Sequence, residues 1–135
     1  MTRIVTSDEF VTLILATLKL RDEKAELRDA ELDHSFQEAY EELASNEAEL
    51  QVSSNFTFFT DPLHGNSTKL RKAIVGARDR GFLEPRLGRR GVKYAVNMST
   101  ELAQRFVDKS AIDSGFLQRV VTDHFLRRPR EQAAV

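Results

Sequence analysis

The chain has 135 residues, 41% of them hydrophobic and 30% charged, with no cysteine and a net charge of −1. That balance fits one folded domain and excludes disulfides, thiolate metal sites and cysteine nucleophiles. The small net charge conceals a split: residues 1–60 hold 5 Lys/Arg against 13 Asp/Glu, and residues 61–135 hold 15 against 8. An acidic half followed by a basic half predicts an anion-facing part separate from the rest.

Thr6, with Glu9 three residues later, reads as a capping box that opens a helix. Phe10, Leu13, Ile14, Thr17 and Leu18 then recur at helical spacing, and the helix is expected to end near Leu20. Its nearly continuous apolar character predicts burial on most sides. The run Phe10–Leu20 is too short and too polar to span a bilayer. The N-terminal residues lack a basic segment leading into an apolar stretch, so a cytoplasmic protein with no membrane partner is expected.

Residues 21–31 are highly charged and read as a solvated turn leading into a second helix. From there Leu32, Phe36, Ala39 and Leu43 mark one helix face, widened by Tyr40. This stripe fits a core face, or alternatively the seam of a dimer; the later stripe Phe116–Leu126 is an equal candidate for the seam. Asn46–Ser54 is polar and reads as a connection. Phe56 to Thr60 favours a short strand by β-propensity, and Asp61-Pro62-Leu63-His64-Gly65 reads as a turn.

Asn66, Ser67 and Thr68 are good helix caps. They precede a helix with Leu70, Ala73, Ile74 and Ala77 on one face, and Gly81 is its expected stop. Phe82-Leu83 begins an extended run, and Leu87-Gly88-Arg89-Arg90-Gly91-Val92 predicts a hairpin with its turn at 88–91. Val92, Tyr94 and Val96 alternate with Lys93 and Ala95, as in a half-buried strand. Two further helices are expected, from Ser99 with Leu102, Phe106 and Val107 inward, and from Asp113 or Ser114 through Leu126. Residues 127–135 lack periodicity and read as a disordered tail.

The stretch from Leu70 through Ala77-Arg78-Asp79-Arg80-Gly81-Phe82-Leu83-Glu84, then Gly88-Arg89-Arg90-Gly91-Val92-Lys93-Tyr94-Ala95-Val96, resembles the recognition helix and wing of the winged helix-turn-helix superfamily. In that superfamily a helix often ends in a charged-Gly-hydrophobic-Leu step, and a hairpin follows with an aromatic on its returning strand. The resemblance covers about 30 residues and implies a DNA-binding domain. One feature departs from it. The superfamily places a short helix and tight turn just before the recognition helix, whereas here residues 55–65 read as strand and turn.

The charges point the same way. If Leu70, Ala73, Ile74 and Ala77 face the core, then Thr68, Arg71, Lys72, Val75 and Asp79 share the opposite face. Two cations and a hydroxyl there suit phosphates or base edges, Val75 suits a thymine methyl, and Gly76 leaves room for a close backbone. The wing residues that match the resemblance are Arg89 and Arg90, with Lys93 on the outer strand face; Arg89 in a narrow minor groove would read DNA shape. The expected nucleic-acid-binding set is Thr68, Lys69, Arg71, Lys72, Val75, Arg89, Arg90 and Lys93.

Signatures of catalysis are missing from the sequence: there is no nucleophile elbow, P-loop or dinucleotide fingerprint. His34, His64 and His124 lack metal-ligand spacing. Neither an enzyme, a metal nor a cofactor is expected. Asn55-Phe-Thr57, Asn66-Ser-Thr68 and Asn97-Met-Ser99 match the glycosylation pattern, and two of them coincide with expected helix starts, where such residues serve as caps.

The expectation is therefore a mostly α chain with a small antiparallel sheet (α+β), winged-helix-like with helical extensions at both ends. It is expected to form a single domain over residues 1–126. The domain comprises an acidic helical part (1–50), a helix with a basic wing (55–110) and a C-terminal helix (112–126). Its expected partners are double-stranded DNA and a second copy of the chain, in the role of a transcriptional regulator. The alternative is a protein-interaction module in a larger assembly, with the acidic N-terminal helices on a partner. A basic cluster scattered or paired with the acidic helices would favour that alternative.

Overall fold

Thr6 opens the first helix as its hydroxyl position dictates: Oγ1 accepts the Glu9 N–H at 3.1 Å. The computed structural model describes residues 3–58, 68–89 and 91–126. In chain order the elements are β1 (Arg3–Val5), α1 (Ser7–Arg21), β2 (Glu26–Arg28), α2 (Asp29–Ser45), α3 (Glu47–Leu50) and β3 (Val52–Ser54). Then come α4 (Thr68–Asp79), β4 (Leu83–Gly88), β5 (Gly91–Val96), α5 (Thr100–Asp108), α6 (Ser114–Val121) and a π-helical segment, Thr122–Leu126. The architecture is α+β, mostly helical, with one three-stranded antiparallel sheet and one parallel strand pair.

Helix α1 is the axis of the core. Every residue from Phe10 to Leu18 is buried, and α4, α5 and α6 all pack against it. The two hydroxyls inside this run would be costly if unpaired. Thr12 and Thr17 donate instead to carbonyls one turn back, Asp8 O and Leu13 O, each at 2.8 Å.

The stripe on α2 faces the core: Leu32, Phe36, Ala39 and Leu43 are at most 1% exposed within a single chain. Phe116, Leu117, Val120, Val121 and Phe125 of the C-terminal stripe are likewise buried. Both candidate dimer seams are thus consumed by intrachain packing.

Three readings of the connections need correction. Residues 26–28 are a strand, not part of a solvated turn, and α2 starts immediately after them. Residues 46–54 hold α3 and β3, the latter pairing in parallel with β1. Phe56 and Phe58, expected in a strand, lie in no regular element. Their alternation is real, since both rings are buried and Thr57 is exposed, but no neighbouring strand bonds to them. The rings are held by other rings: Phe56 lies 5.8 Å from Phe10 and 5.4 Å from Tyr40, and Phe58 stands edge-on to Phe36. β-Propensity reports fitness for a half-buried pleated surface, and aromatic packing here satisfies the same preference without a ladder. The turn expected at 61–65, the caps Asn66 and Ser67, and the tail 127–135 lie outside the described residues.

The end of α4 forms as read. Gly81 has φ +82°, its N–H donates to Arg78 O at 2.9 Å, and the Phe82 N–H donates to Ala77 O at 2.9 Å. That pair of bonds is a Schellman motif, which turns the chain into β4. Strands β4 and β5 pair as far as Gly88 opposite Gly91, whose φ is +110°. Strand β5 is the centre of the sheet, with β2 on its other edge. Leu27, Leu83 and Val96 are buried and share the inner face with Tyr94 and Pro85. No helix among the described residues is long and apolar enough to cross a membrane.

At the other end of the molecule, Glu47 ties α3 to β3. Its Oε1 accepts the Ser54 hydroxyl at 2.6 Å and the Ser54 N–H at 2.8 Å. These bonds favour the carboxylate and hold its pKa below the usual value, against a small desolvation effect. The folded pKa being lowered, the contribution to stability is complete above the ordinary carboxylate range, about 4.3. It is lost as pH falls through the lowered value. The Ser54 amide resonance is expected to titrate in that acidic window and to stop doing so in Glu47→Gln. An Ser54 amide in the wild type that does not respond to acid would contradict the assignment.

Candidate nucleic-acid interface

Helix α4 places its residues by the 100° step of the helix. Leu70, Ala73, Ile74 and Ala77 are buried, and Thr68, Lys72, Val75 and Asp79 are exposed on the far side. Val75 is 44% exposed, unusual for a β-branched apolar residue on a helix with a full core stripe. This outward face therefore carries one cation, Lys72, together with a hydroxyl, an apolar group and one carboxylate.

Arg71 does not join that face. It follows Leu70 by one residue, so it lies about 100° round the helix, at the flank of the apolar stripe. Its side chain crosses to α2. Nη1 donates to Asp29 Oδ1 at 2.6 Å, and Nη2 donates to the Asp29 carbonyl at 3.3 Å and to Asp33 Oδ2. The Asp33 side chain is 8% exposed and the Arg71 side chain 30%. Desolvation works against the Arg71 charge, but the bonds to Asp33 and Asp29 outweigh it and raise its pKa.

Asp29 also acts on Tyr94: burial first, and then the charge of the nearby Asp29, push the Tyr94 pKa above the usual phenol value, against the nearby charges of Arg71 and Arg78. One carboxylate thus ties α4 to the start of α2. Arg71, expected among the DNA-facing cations, is paired within the chain.

The other expected residues are dispersed. Lys69 is exposed on the opposite flank of α4, where it borders a groove with Glu47, Ser54 and Tyr40. A Cβ at Gly76 would meet the Arg80 and Asp8 side chains at ordinary distances. Arg89 is exposed in the hairpin turn, Lys93 is partly exposed on the outer face of β5, and Arg90 lies outside the described residues. Arg89 and Lys93 meet at a groove of about 590 Å³ between the hairpin and the start of α2, where Arg28 joins them.

Arginines outside this set are also committed. Arg80 pairs with Asp8, Arg86 with Glu26 and Glu84, and Arg119 with Glu42. Lys69, Lys72, Arg78, Arg89 and Lys93 form no ion pair among the described residues. Folding brings His34 and His124 to one carboxylate, Glu38, at 3.3 and 3.5 Å, while His124 Nε2 lies 2.7 Å from Glu42. These contacts fasten the π-helical segment to α2. Among the described residues, no three such side chains are arranged to hold a metal ion.

Replacing Arg71 tests its assignment. Arg71→Ala leaves Asp33 buried without this cation and is expected to cost about 3 kcal/mol in denaturant unfolding. Lys72→Ala on the exposed face is expected to change stability by less than about 0.5 kcal/mol. Equal, small effects at both positions would return Arg71 to the exposed set.

Comparisons with family models, with curated proteins and with solved structures each return no match to this chain.

Proposed function

We propose that the chain is a DNA-binding protein, a small transcriptional regulator that contacts the duplex through α4 and the β4–β5 hairpin. The observation that carries this reading is a division of labour among the cations. Arg71 joins α4 to α2 through Asp29 and Asp33. Lys72, Arg78, Arg89 and Lys93 stay without ion pairs among the described residues. A helix and a hairpin that each carry unneutralised cations offer contacts for phosphates.

The order of elements supports the winged-helix resemblance on which the reading also draws. α4 runs through a tight glycine stop into the hairpin, and β2, which precedes α2, pairs with the returning strand β5. The long insertion at 46–67 between α2 and α4 remains a departure from it. In this reading Thr68, Lys72 and Val75 face the groove, and Arg89, Arg90 and Lys93 hold the backbone. No catalytic group and no cofactor is assigned.

A second reading has its own support. Arg71, Arg80, Arg86 and Arg119 are paired with carboxylates, so the basic half is partly neutralised by the acidic half. That pattern suits a protein-interaction module whose remaining acidic surface meets a basic partner.

Fluorescence anisotropy of a random-sequence DNA duplex at low and moderate salt separates the two. The wild type is expected to bind at low salt, with affinity that falls steeply as salt rises. Replacing Arg89 and Arg90 with Ala is expected to reduce the salt slope by about two. Absence of binding at low salt would overturn the DNA reading and leave the module.

The homodimer expected of a regulator with two half-sites has to use a surface other than the α2 and α6 stripes, which are buried. Sedimentation of the chain is expected to give a dimer mass, retained when exposed Val75 becomes Ser; a monomer at all concentrations would remove that part of the proposal.

A further inference from the structure

The pairing register of the three-stranded sheet sets three cations side by side. Arg28 on β2 is opposite Lys93 on β5, and Lys93 is opposite Arg86 on β4. All three lie on the outer face, because Leu27, Tyr94, Pro85, Leu83 and Val96 occupy the inner one. Three strands span two interstrand spacings, so the row is about 10 Å wide.

Like charges directly opposite each other in a sheet oppose pairing. Neutralisation of this row is incomplete. Arg86 approaches Glu26 at 3.4 Å and Glu84 at 3.7 Å, Arg28 comes no closer than 3.9 Å to Glu31, and Lys93 has no ion pair among the described residues. Two of these carboxylates, Glu26 and Glu84, belong to the next row of the same face, with Ala95 between them, towards the base of the hairpin; Glu31 stands on α2. The outer face is therefore polarised. It is acidic at its base and cationic towards the tip, where Arg89 extends the positive end.

This face is separate from α4. Tyr94 sits on the inner side, opposite Leu27 and Pro85, and there the charges of Asp29, Arg71 and Arg78 act on it. The row Arg28–Lys93–Arg86 lies on the other face of the sheet. The tipward end of the outer face opens on the groove of about 590 Å³ lined by Arg28, Arg89 and Lys93, which Asp29 and Glu31 also border. A local arrangement that costs folding energy without serving the core is expected where a partner compensates it.

We propose that the outer face of the sheet is a second phosphate-contacting surface for duplex DNA, with Arg28 and Arg86 as contacts in addition to Lys93. The proposal rests on the DNA-binding reading and extends it. The hairpin is held against the backbone by its flat outer side as well as by its tip, and Arg28, which lies in the acidic half of the sequence, belongs to the interface. Contacts of this kind add affinity and orientation without base preference.

The test is the salt dependence of duplex binding in two charge-matched double variants. Arg28→Gln/Arg86→Gln leaves Arg89, Arg90 and Lys93 in place. Arg105→Gln/Lys109→Gln removes two exposed cations, one in the last turn of α5 and one at its C-cap. Binding of wild type with a slope reduced by about two in the first variant, and unchanged in the second, is the expected result. The single variant Arg28→Gln, which leaves the Arg86 ion pairs intact, is expected to lose about one, with an unchanged thermal midpoint. Equal slopes in the two double variants, with wild-type binding intact, would overturn this proposal and leave the helix and hairpin tip as the interface. Wild-type protein that fails to bind at low salt would overturn the DNA-binding reading itself, and this proposal with it.

Discussion

The position of α4 depends on a guanidinium held between two carboxylates. Arg71 reaches from α4 to Asp29 and Asp33 at the start of α2. A partly buried ion pair adds little net stability over an apolar contact. Its value here is geometric, since the fork of the guanidinium accepts only a narrow range of approaches. The two helices are brought together there, and α4 is thereby set relative to α2. Any surface that includes α4 inherits its shape from that junction.

Around the junction, the bulk of the folding energy comes from apolar burial on α1 and from aromatic rings packed in tilted and edge-on contacts. Phe10, Phe36, Tyr40, Phe56, Phe58 and Phe125 form a continuous set of ring contacts. The set joins α1, α2, the segment after β3 and the π-helical end of the chain. This explains how an irregular segment such as residues 55–58 is held. The absence of a strand ladder is offset by two large buried side chains. It also explains why the amphipathic stripes on α2 and α6 are unavailable to a second copy.

The charge split between the halves is resolved by folding into two populations. Arg71, Arg80, Arg86 and Arg119 reach across to acidic residues of α1, α2, β2 or the neighbouring β4 position. The lysines of α4, Arg78, and the cations of the hairpin turn and central strand are not paired within the described residues. Arg71, the least exposed of the first group, holds α4 to α2, whereas Arg86 keeps more than half of its side chain exposed beside its carboxylates. A split of this kind favours electrostatic attraction that is strong at low ionic strength and screened at high. Sequence-reading of base edges would fall to the sparse outward face of α4, where Thr68, Lys72 and Val75 are the groups on offer.

Much of the local structure was legible in the residues themselves. The Thr6 cap, the buried run of α1, the stripes of α2 and α6, the glycine stop after α4 and the two-residue hairpin all follow from short-range rules of capping, periodicity and turn conformation. Those rules operate within one or two turns of chain. The strands β1, β2 and β3 were not legible, because three residues carry too little pattern and each exists only through a distant partner. The candidate site divides along the same line. That Arg89 and Lys93 belong to a basic hairpin is a local fact. That Arg71 is spent on Asp29 and Asp33, some forty positions away, and that Arg28 stands beside Lys93 and Arg86, are facts of tertiary structure alone. Sequence spacing determines which face of a helix or strand a charge occupies. Only the packing of one element on another decides whether that charge meets a carboxylate, a like charge or water.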